Sequence, residues 1–387
     1  MRIPVGPGPT EAAAVPAVPT RGEGQHLLFD RSPRYLMEEY HGLVRNALRS
    51  GTYKPNRTAA DTIATFGEYY ECDISDSYPL LTTKGMDTFR WDSMLHELVW
   101  YLSGDHHVRT LREQTGIWDA WADESGALPS AYGRFWRRFP VPEDGAQLPG
   151  EAWAGADCPW VERDEGTGTL AFDQLAYVVD TLRGENPDRD RHSRRLVVSA
   201  WHPANAAVSS LPPCHYTFAF SVQGGRLHCH LTQRSADITL GVPFNIAAYA
   251  LLAKVVARVT DIEPGTFAHT HVDAHVYCGK GERGAWYADN LPELQERLRA
   301  VEDREEYREV REWLLETAPP EPDAEVDPAS HEYGYDHVPG LLEQLAREPL
   351  DPPTVDVDVD SLDDLAYDAI ELDSYEGYGG LSFDVAE

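Results

Sequence analysis

Apolar residues recur at helical spacing in several segments of the chain. The first such segment begins near Arg34 and ends at Gly51, where the glycine stops the helix. The stretch TGTLAFDQLAYVVDTLRGENP predicts a short strand, a turn, and a helix closed by Gly184. Three further helices are predicted at residues 86–104, 107–116 and 243–260. The last of these is almost wholly apolar, and we expect it to lie buried on a sheet.

Alternation of apolar and polar residues predicts strands in the middle of the chain. Residues 62–75 alternate in this way, and so do residues 215–222 and 226–233. Between the last two runs, Gln-Gly-Gly at residues 223–225 is typical of a tight hairpin turn. The sequence therefore predicts a strand-rich block enclosed by helices.

Changes in composition suggest four parts. Residues 1–30, rich in proline, alanine and glycine, predict a disordered leader, and residues 31–280 carry the regular patterns. Residues 281–338 predict acidic helices, with Asn290 to Glu293 as a capping box, followed by a solvated linker. We interpret this part as an insertion without chemistry of its own. Residues 339–387 return to the main domain through a strand and an acidic closing segment.

The charge balance narrows the possible partners. The chain carries 33 basic and 65 acidic residues, a net charge of −32, which argues against a nucleic-acid ligand. Only four of the basic residues are lysines (Lys54, Lys84, Lys254 and Lys280). Such a surface suits a cell with molar internal salt, although an acidic protein from a high-GC mesophile would look similar. With no secretory signal and no apolar run of about 20 residues, we expect a cytoplasmic protein without a membrane span.

Several residues are candidates for chemistry, each with a plain structural alternative. Cys214, in SSLPPCHYTF, could be a buried core thiol or a nucleophile. His215 follows directly and would point to the opposite face of a strand, so it is a poor base for that thiol. Glu97 lies among apolar helix residues, where spacing alone favours the surface over a buried acid. Arginines suited to a phosphate occur at Arg57, Arg194, Arg195 and Arg234, although arginine is this chain's ordinary cation.

Metal and dinucleotide chemistry find little support. HTHVDAH at residues 269–275 is similar to a zinc-hydrolase motif, but Ala274 separates the last histidine from the aspartate. The five cysteines form no CxxC pair. Neither a P-loop nor a GxGxxG fingerprint occurs between a strand and a helix. We therefore expect no metal.

One long block and several shorter ones then occur in a characteristic order. The long block is LPPCHYTFAFSVQGGRLHCHLTQRSADITLGVPFNIAAYALL. The shorter ones are TFGEYYECDISDSYPLLTTK, HELVWYLSGD, IWDAWAD, YGRFW, RRLVVSAW and DAHVY. Together they resemble the folate-dependent thymidylate synthase family over most of residues 34–280, and weakly over 338–387. The resemblance implies an α+β fold, with a mixed β-sheet packed with helices and a homodimer formed through the sheet.

The resemblance also implies an activity, the reductive methylation of dUMP by 5,10-methylenetetrahydrofolate to dTMP and dihydrofolate. Cys214 would add to C6 of the pyrimidine, and Arg234 would hold the phosphate beside it and favour the thiolate. Arg57 would bind the phosphate from a mobile loop. Arg194 and Arg195 would reach it from the partner subunit, so that the homodimer shares its sites. The folate donates both the carbon unit and the hydride, and no nicotinamide cofactor is implied.

Other roles follow from the same resemblance. Asn245 would read the uracil edge, since an amide can donate to O4 and accept from N3–H. Glu97 would be a general acid and base acting through water, and Tyr132 would lie near the C5 proton. The remaining dUMP contacts implied are Ser235, Ala236, Asp237, His275 and Tyr277. The folate contacts implied are Asp237, Trp118, Trp121 and Ala386.

This sequence departs from the family pattern mainly on the folate side. Asp87, Ser130, Val272 and the terminal Glu387 replace residues usual in the family. These changes leave open a dUMP or dCMP hydroxymethylase, in which water captures the exocyclic methylene. An inactive homologue that binds nucleotide or RNA is a further alternative.

Overall fold

The structure is a computed structural model that describes residues 35–86, 88–142, 158–165, 167–321 and 326–386. The predicted leader, Asp87 and Glu387 lie outside these ranges. The helices are α1 (Tyr35–Ser50), α2 (Thr88–Ser103), α3 (Tyr132–Arg137), α4 (Gln174–Arg183), α5 (Pro203–Val208), α6 (Gly241–Thr260), α7 (Glu282–Ala300), α8 (Glu306–Thr317) and α9 (Val338–Ala346). The strands are β1 (Thr52–Lys54), β2 (Thr62–Asp73), β3 (Phe139–Pro140), β4 (Val161–Arg163), β5 (Leu170–Phe172), β6 (Val197–Ser199), β7 (His215–Gln223), β8 (Arg226–Gln233), β9 (Ala236–Asp237), β10 (Glu263–Tyr277), β11 (Glu332–Tyr333), β12 (Thr354–Val357), β13 (Ile370–Asp373) and β14 (Ser382–Phe383).

A seven-stranded mixed sheet forms the centre of the molecule, in the order β1-β2-β10-β8-β7-β6 with β9 beside β10. β10 runs parallel to β8 and β9, and the remaining pairs are antiparallel. The helices α1 and α6 pack on one face of this sheet. The fold is therefore α+β, as the sequence suggested.

Alternation along the strands separates a core face from an outer face. In β8, Leu227, Cys229 and Leu231 are buried, while His230 between them is exposed. β2 also exposes a large aromatic side chain, Phe66, at 87%. The sheet thus has one face covered by helices and one face open in the single chain.

α6 is the core helix, and most of its side chains are buried. By length and composition alone it could span a membrane. Its apolar run is nevertheless interrupted by Asn245, Lys254 and Arg258, so no uninterrupted apolar run of about 20 residues occurs in it, as predicted. A buried core helix passes the same test, and 78% of the apolar window is buried here. It is the single such helix among the described residues.

Elements with a strong local signal were predicted well. β7 and β8 form the predicted hairpin, and its turn consists of Gly224 and Gly225, which both have positive φ. α4 is capped by Asp173 at its start and closed by Gly184 in the left-handed region. The helix predicted at residues 107–116 is wrong, because this stretch contains only a 3₁₀ turn at Leu111–Glu113.

The two ends of the segment predicted as an acidic insertion lie close together in the structure. Cys278 and Asp336 form an isolated bridge, and the Gly279 amide donates to the Tyr335 carbonyl (3.2 Å). Between these points α7 and α8 each bury one apolar side, as Leu294 and Leu314 show. The capping box predicted at Asn290 is wrong, because α7 already begins at Glu282 and runs through that position.

Candidate active site

The residues predicted to act on the nucleotide meet at one edge of the central sheet. Cys214 stands immediately before β7 and Arg234 immediately after β8, and because the two strands form an antiparallel hairpin, the residues lie side by side. The amide of Arg234 donates to the carbonyl of Cys214 at 2.8 Å. β10 runs parallel to β8, so His275 and Tyr277 near its carboxyl end reach the same edge.

The Cys214 thiol lies against the guanidinium of Arg234. Nη2 of Arg234 is 3.6 Å from Sγ, and the guanidinium also donates to the carbonyls of Pro212 (2.7 Å) and Pro213 (3.0 Å). Burial raises the pKa of the thiol, and the charge of Arg234 and the hydrogen bond with Tyr132 oppose this without cancelling it. Arg234 thus favours the thiolate, as expected, but the pKa remains above its usual value.

His215 is held away from this thiol. Its ring stacks on Tyr132 at 3.7 Å between centroids, and Nδ1 lies 2.6 Å from the Tyr249 hydroxyl. Burial lowers the pKa of His215 to about 3, so the imidazole is neutral. The hydroxyl of Tyr132 in turn accepts from the amide of Cys214 at 2.8 Å. These contacts agree with the argument that neighbouring residues of a strand face opposite ways.

The carboxyl of Glu97 is turned inward, so the expectation from helix spacing of a surface position is wrong. Its Oε1 accepts from the Tyr101 hydroxyl (2.8 Å) and from Nε1 of Trp118 (2.7 Å). Burial raises the pKa of Glu97 to about 7, although both donors lower it. A carboxyl of this kind can exchange a proton near neutral pH, as general acid–base chemistry requires.

Asn245 lies in the first turns of α6 and lines the same small pocket as Glu97 and His215. The pocket therefore joins an amide, a protonatable carboxyl and a neutral imidazole. Such a set can read a planar polar ring by hydrogen bonds and deliver a proton to it.

Asp237 holds the turn that leads from β9 into α6. It pairs with His275 across the parallel strands β9 and β10, and its Oδ1 accepts from the amides of Thr239 (2.9 Å) and Leu240 (3.1 Å) just before α6 begins. Ser235 precedes it in a half-buried position, and Ala236 is fully buried in β9. Three of the predicted contacts, Ser235, Ala236 and Asp237, are thus consecutive residues between β8 and α6.

His275 and Tyr277 are neighbours in space, with ring centroids 5.3 Å apart. Nδ1 of His275 lies 2.9 Å from Oδ1 of Asp273, whose other oxygen pairs with the ammonium of Lys54. The His275 hydrogen bond contributes most to the low pKa of Asp273, about 2. This chain of contacts orients the imidazole, which leaves Nε2 for a ligand.

The predicted folate contacts are less closely grouped. Trp118 and Trp121 pack edge to face with centroids 5.6 Å apart, and Trp118 also touches Glu97 through its indole nitrogen. Ala386 is half-buried at the end of the described chain. Ser130, one of the departures, is buried and donates to the carbonyl of Leu211 (3.1 Å), so it supports the loop in front of the cysteine.

The phosphate arginines divide into two groups. Arg234 is in place beside the cysteine, whereas Arg57 is exposed on the loop between β1 and β2. The charge of Arg57 lowers the pKa of Tyr277, against a larger rise caused by burial. Arg194 and Arg195 are exposed beside the edge strand β6, and within the described ranges they form no ion pair with the other site residues.

Lys84 is a site residue that sequence reasoning missed. It is fully buried, its Nζ donates to the Thr239 carbonyl (2.5 Å), and the Phe383 ring lies 5.1 Å from it. Burial lowers the pKa of Lys84 to about 7, against the opposing charge of Asp237. A signal was available, because lysine is rare in this chain and Lys84 ends one of the blocks quoted above.

The first two histidines of HTHVDAH, His269 and His271, are buried in the core. Nδ1 of His269 lies 2.8 Å from the Tyr70 hydroxyl, and its Nε2 lies 3.0 Å from the Gln233 amide oxygen. The ring of His271 lies beside it in the core, with centroids 3.9 Å apart and the two planes tilted by 41°. Over the described ranges, no three histidine, cysteine or acidic side chains are grouped as metal ligands.

Comparison with known proteins adds a decisive observation. The thymidylate synthase family model matches residues 38–387, almost the whole chain. The chain belongs to the thymidylate synthase family. A thymidylate synthase of Haloferax volcanii is 59% identical over 345 residues, which cover 89% of this chain and 95% of that protein. The matched residues continue through α7 and α8 to the C-terminus, so they include both Cys214 and Ala386.

Proposed function

We propose that this chain catalyses the reductive methylation of dUMP by 5,10-methylenetetrahydrofolate, giving dTMP and dihydrofolate. The observation that carries the proposal is the Cys214 thiol held 3.6 Å from the Arg234 guanidinium, beside a pocket lined by Glu97 and Asn245. Membership of the thymidylate synthase family supports the same reaction.

Arg234 links phosphate binding to activation of the nucleophile. A guanidinium beside both a phosphate dianion and the thiol stabilises the thiolate form that attacks C6 of the pyrimidine. The attack places negative charge on C5 and O4, and C5 then takes up the methylene carbon of the folate. The C5 proton is then removed and the bond from this carbon to the folate nitrogen breaks, which leaves an exocyclic methylene on the pyrimidine. The tetrahydropterin supplies a hydride to that methylene and becomes dihydrofolate, while Cys214 is expelled from C6.

Glu97 and Asn245 act on the pyrimidine edge opposite the cysteine. With a pKa near 7, Glu97 can give a proton towards O4 during the attack and take one back later. Asn245 donates to O4 and accepts from N3–H of uracil, whereas cytosine presents the reverse pattern. Tyr132, hydrogen-bonded to the cysteine amide, lies near the C5 proton.

The remaining contacts hold the two substrates. Asp237 anchors the pterin, Trp118 and Trp121 form the wall of the folate site, and Ala386 closes over it. On the nucleotide, His275 and Tyr277 hold the deoxyribose hydroxyl. Ser235 and Ala236 also contact dUMP. The position of Asp237 supports this division, because its carboxylate caps the turn that starts α6 next to Asn245.

We infer that the working form is a homodimer with shared sites. The outer face of the central sheet exposes Phe66 (87%) and Tyr69 (56%), and a second copy of the sheet would cover them. In such a dimer Arg194 and Arg195, which find no ion-pair partner among the described parts of their own chain, reach the phosphate in the other subunit's site. We also expect a cytoplasmic enzyme adapted to high salt.

The direct test is to incubate the protein with dUMP and methylenetetrahydrofolate in molar KCl and to identify the nucleotide by mass. Equal amounts of dTMP and dihydrofolate support the proposal, and Cys214→Ser should abolish both. A hydroxymethylated nucleotide with tetrahydrofolate would overturn the hydride step. Product from dCMP instead of dUMP would overturn the role given to Asn245.

A further inference from the structure

The loop that carries Arg57 is held by more than its own residues. Inside the loop, the Asn56 amide donates to Oδ1 of Asp61 (2.9 Å), and the Asn56 side chain donates to the Thr58 hydroxyl (2.9 Å). From outside, the Asp61 amide donates to the Gly279 carbonyl (2.8 Å). The loop therefore rests on the turn after β10, directly before the segment predicted as an insertion (281–338).

Lys280, the residue directly before that segment, contacts the loop with its side chain. Its ammonium donates to the carbonyl of Asn56 and to that of Thr58 (2.9 Å), which are the residues on either side of Arg57. Oδ1 of Asp61 is 3.3 Å from the same nitrogen. An ammonium has three donors, and each of them is matched here by an oxygen of the loop.

The backbone around Lys280 is shaped to aim its side chain. Gly279 (φ 72°) and Gly281 (φ 59°) flank it in conformations that side-chain-bearing residues rarely adopt. At Gly279 a Cβ would also come within 2.6 Å of Arg283 Cγ. This turn reverses the chain so that Lys280 points back at the loop.

The base of the segment is rigid enough to act as a support. Arg283 and Asp336 form a buried ion pair, with Nη2 2.6 Å and Nε 2.7 Å from Oδ2. The Tyr287 hydroxyl donates to the same carboxylate (2.8 Å). Because these groups are already held in place, little further conformational entropy is lost when Lys280 binds the loop.

We propose that Lys280 is a positioning residue: its bonds to the Asn56 and Thr58 carbonyls hold the loop so that Arg57 faces the nucleotide phosphate. This inference rests on the proposed function, in which Arg57 binds the phosphate of dUMP. It gives the turn after β10, directly before the predicted insertion, a part in substrate binding that the sequence analysis did not assign to it. Lysine suits the place better than arginine, because a compact ammonium can converge on three oxygens at one point.

The test compares Lys280→Gln with Arg297→Gln in molar KCl. Arg297 lies on α7, where its contacts are with Glu293 and the ring of Trp313, so its variant removes the same charge without removing a bond to the loop. We expect Lys280→Gln to raise the KM for dUMP about fivefold, which is about 1 kcal/mol, with kcat changed less than twofold. Arg297→Gln should change neither constant. An unchanged KM in Lys280→Gln would overturn the proposal.

A double variant separates positioning from other effects. If Lys280 acts only through Arg57, then Lys280→Gln should add nothing to the KM of an Arg57→Ala enzyme. A full additional effect in that background would overturn the proposal.

Hydrogen exchange gives a readout that does not depend on activity. The amides of residues 56–61 should exchange faster in Lys280→Gln than in the unaltered protein, and equal rates would also overturn the proposal. If the unaltered protein makes no dTMP, the proposed function fails, while hydrogen exchange still decides whether Lys280 holds the loop.

Discussion

Replacing Glu97 by glutamine should make the protein more stable at neutral and alkaline pH while abolishing turnover. Burial raises the pKa of Glu97 from 4.5 to about 7 in the folded chain. The unfolded chain therefore binds fewer protons than the folded one between these two pH values, and the free energy of unfolding falls as the pH rises through that window. At about 1.4 kcal/mol for each pKa unit, the ionised carboxylate costs the folded state about 3 kcal/mol above pH 7.

Glutamine removes this cost without disturbing the contacts. The Tyr101 hydroxyl and the Trp118 indole nitrogen both donate to Oε1, at 2.8 and 2.7 Å. The amide oxygen of glutamine can occupy that position and accept from both. The gain should therefore be close to zero near pH 4 and reach about 3 kcal/mol at pH 8.

The assay is urea unfolding in molar KCl at a fixed protein concentration, from pH 4 to pH 8. Glu312→Gln is the control, because it removes the same charge from an exposed position on α8. In a chain of net charge −32, any lost carboxylate relieves some repulsion, and the control measures that effect. If the gain from Glu97→Gln does not exceed that of Glu312→Gln at pH 8, then Glu97 is not a buried, ionisable acid and its assignment is wrong.

Three further predictions concern the nucleotide side of the site. Arg234→Gln should raise the pKa of Cys214 further and slow its alkylation by iodoacetamide near pH 8, because the nearest positive charge is lost; unchanged alkylation would contradict the contact. Asn245→Asp should lower kcat/KM for dUMP and raise it for dCMP, since a protonated carboxyl can match the edge of cytosine; equal losses on both would contradict edge reading. A mixture of Cys214→Ser and an Arg194→Ala/Arg195→Ala double variant, unfolded and refolded together, should recover about a quarter of the activity if subunits share sites, and none if they do not.

The parts of the fold that could be predicted from sequence are those with local causes. The β7–β8 hairpin follows from Gly224 and Gly225, which alone adopt the required positive φ without cost. The close of α4 follows from Gly184 in the same way. By contrast, the apolar spacing of residues 107–116 does not specify a helix, because the short segment is shaped by its packing against α2 and forms a single 3₁₀ turn.

The site was predictable only in part, since its geometry depends on which strand ends come together. The order of the sequence blocks indicated Cys214 and Arg234, but not that the hairpin brings them within 3.6 Å. The spacing of α2 favoured the surface for Glu97, and only the tertiary contacts with Trp118 and Tyr101 turn it inward. Lys280 lies outside the blocks quoted above, and nothing local links it to a loop more than two hundred residues earlier.

The positions of the lysines connect these observations. The chain has 33 basic residues but only four lysines, and three of the four touch the framework of the site. Lys54 pairs with the aspartate that orients His275, Lys84 donates to the turn that begins α6, and Lys280 binds the loop around Arg57. Elsewhere in this chain arginine is the ordinary cation, as in its helix-surface ion pairs. An ammonium is smaller and its donors converge on one point, so lysine suits the positions of Lys84 and Lys280, where a single positive charge fits against backbone carbonyls. The same reasoning applies to the dianion of the proposed reaction: the positive charges proposed to bind it are few, close and fixed, and salt screens carboxylates that act from a distance.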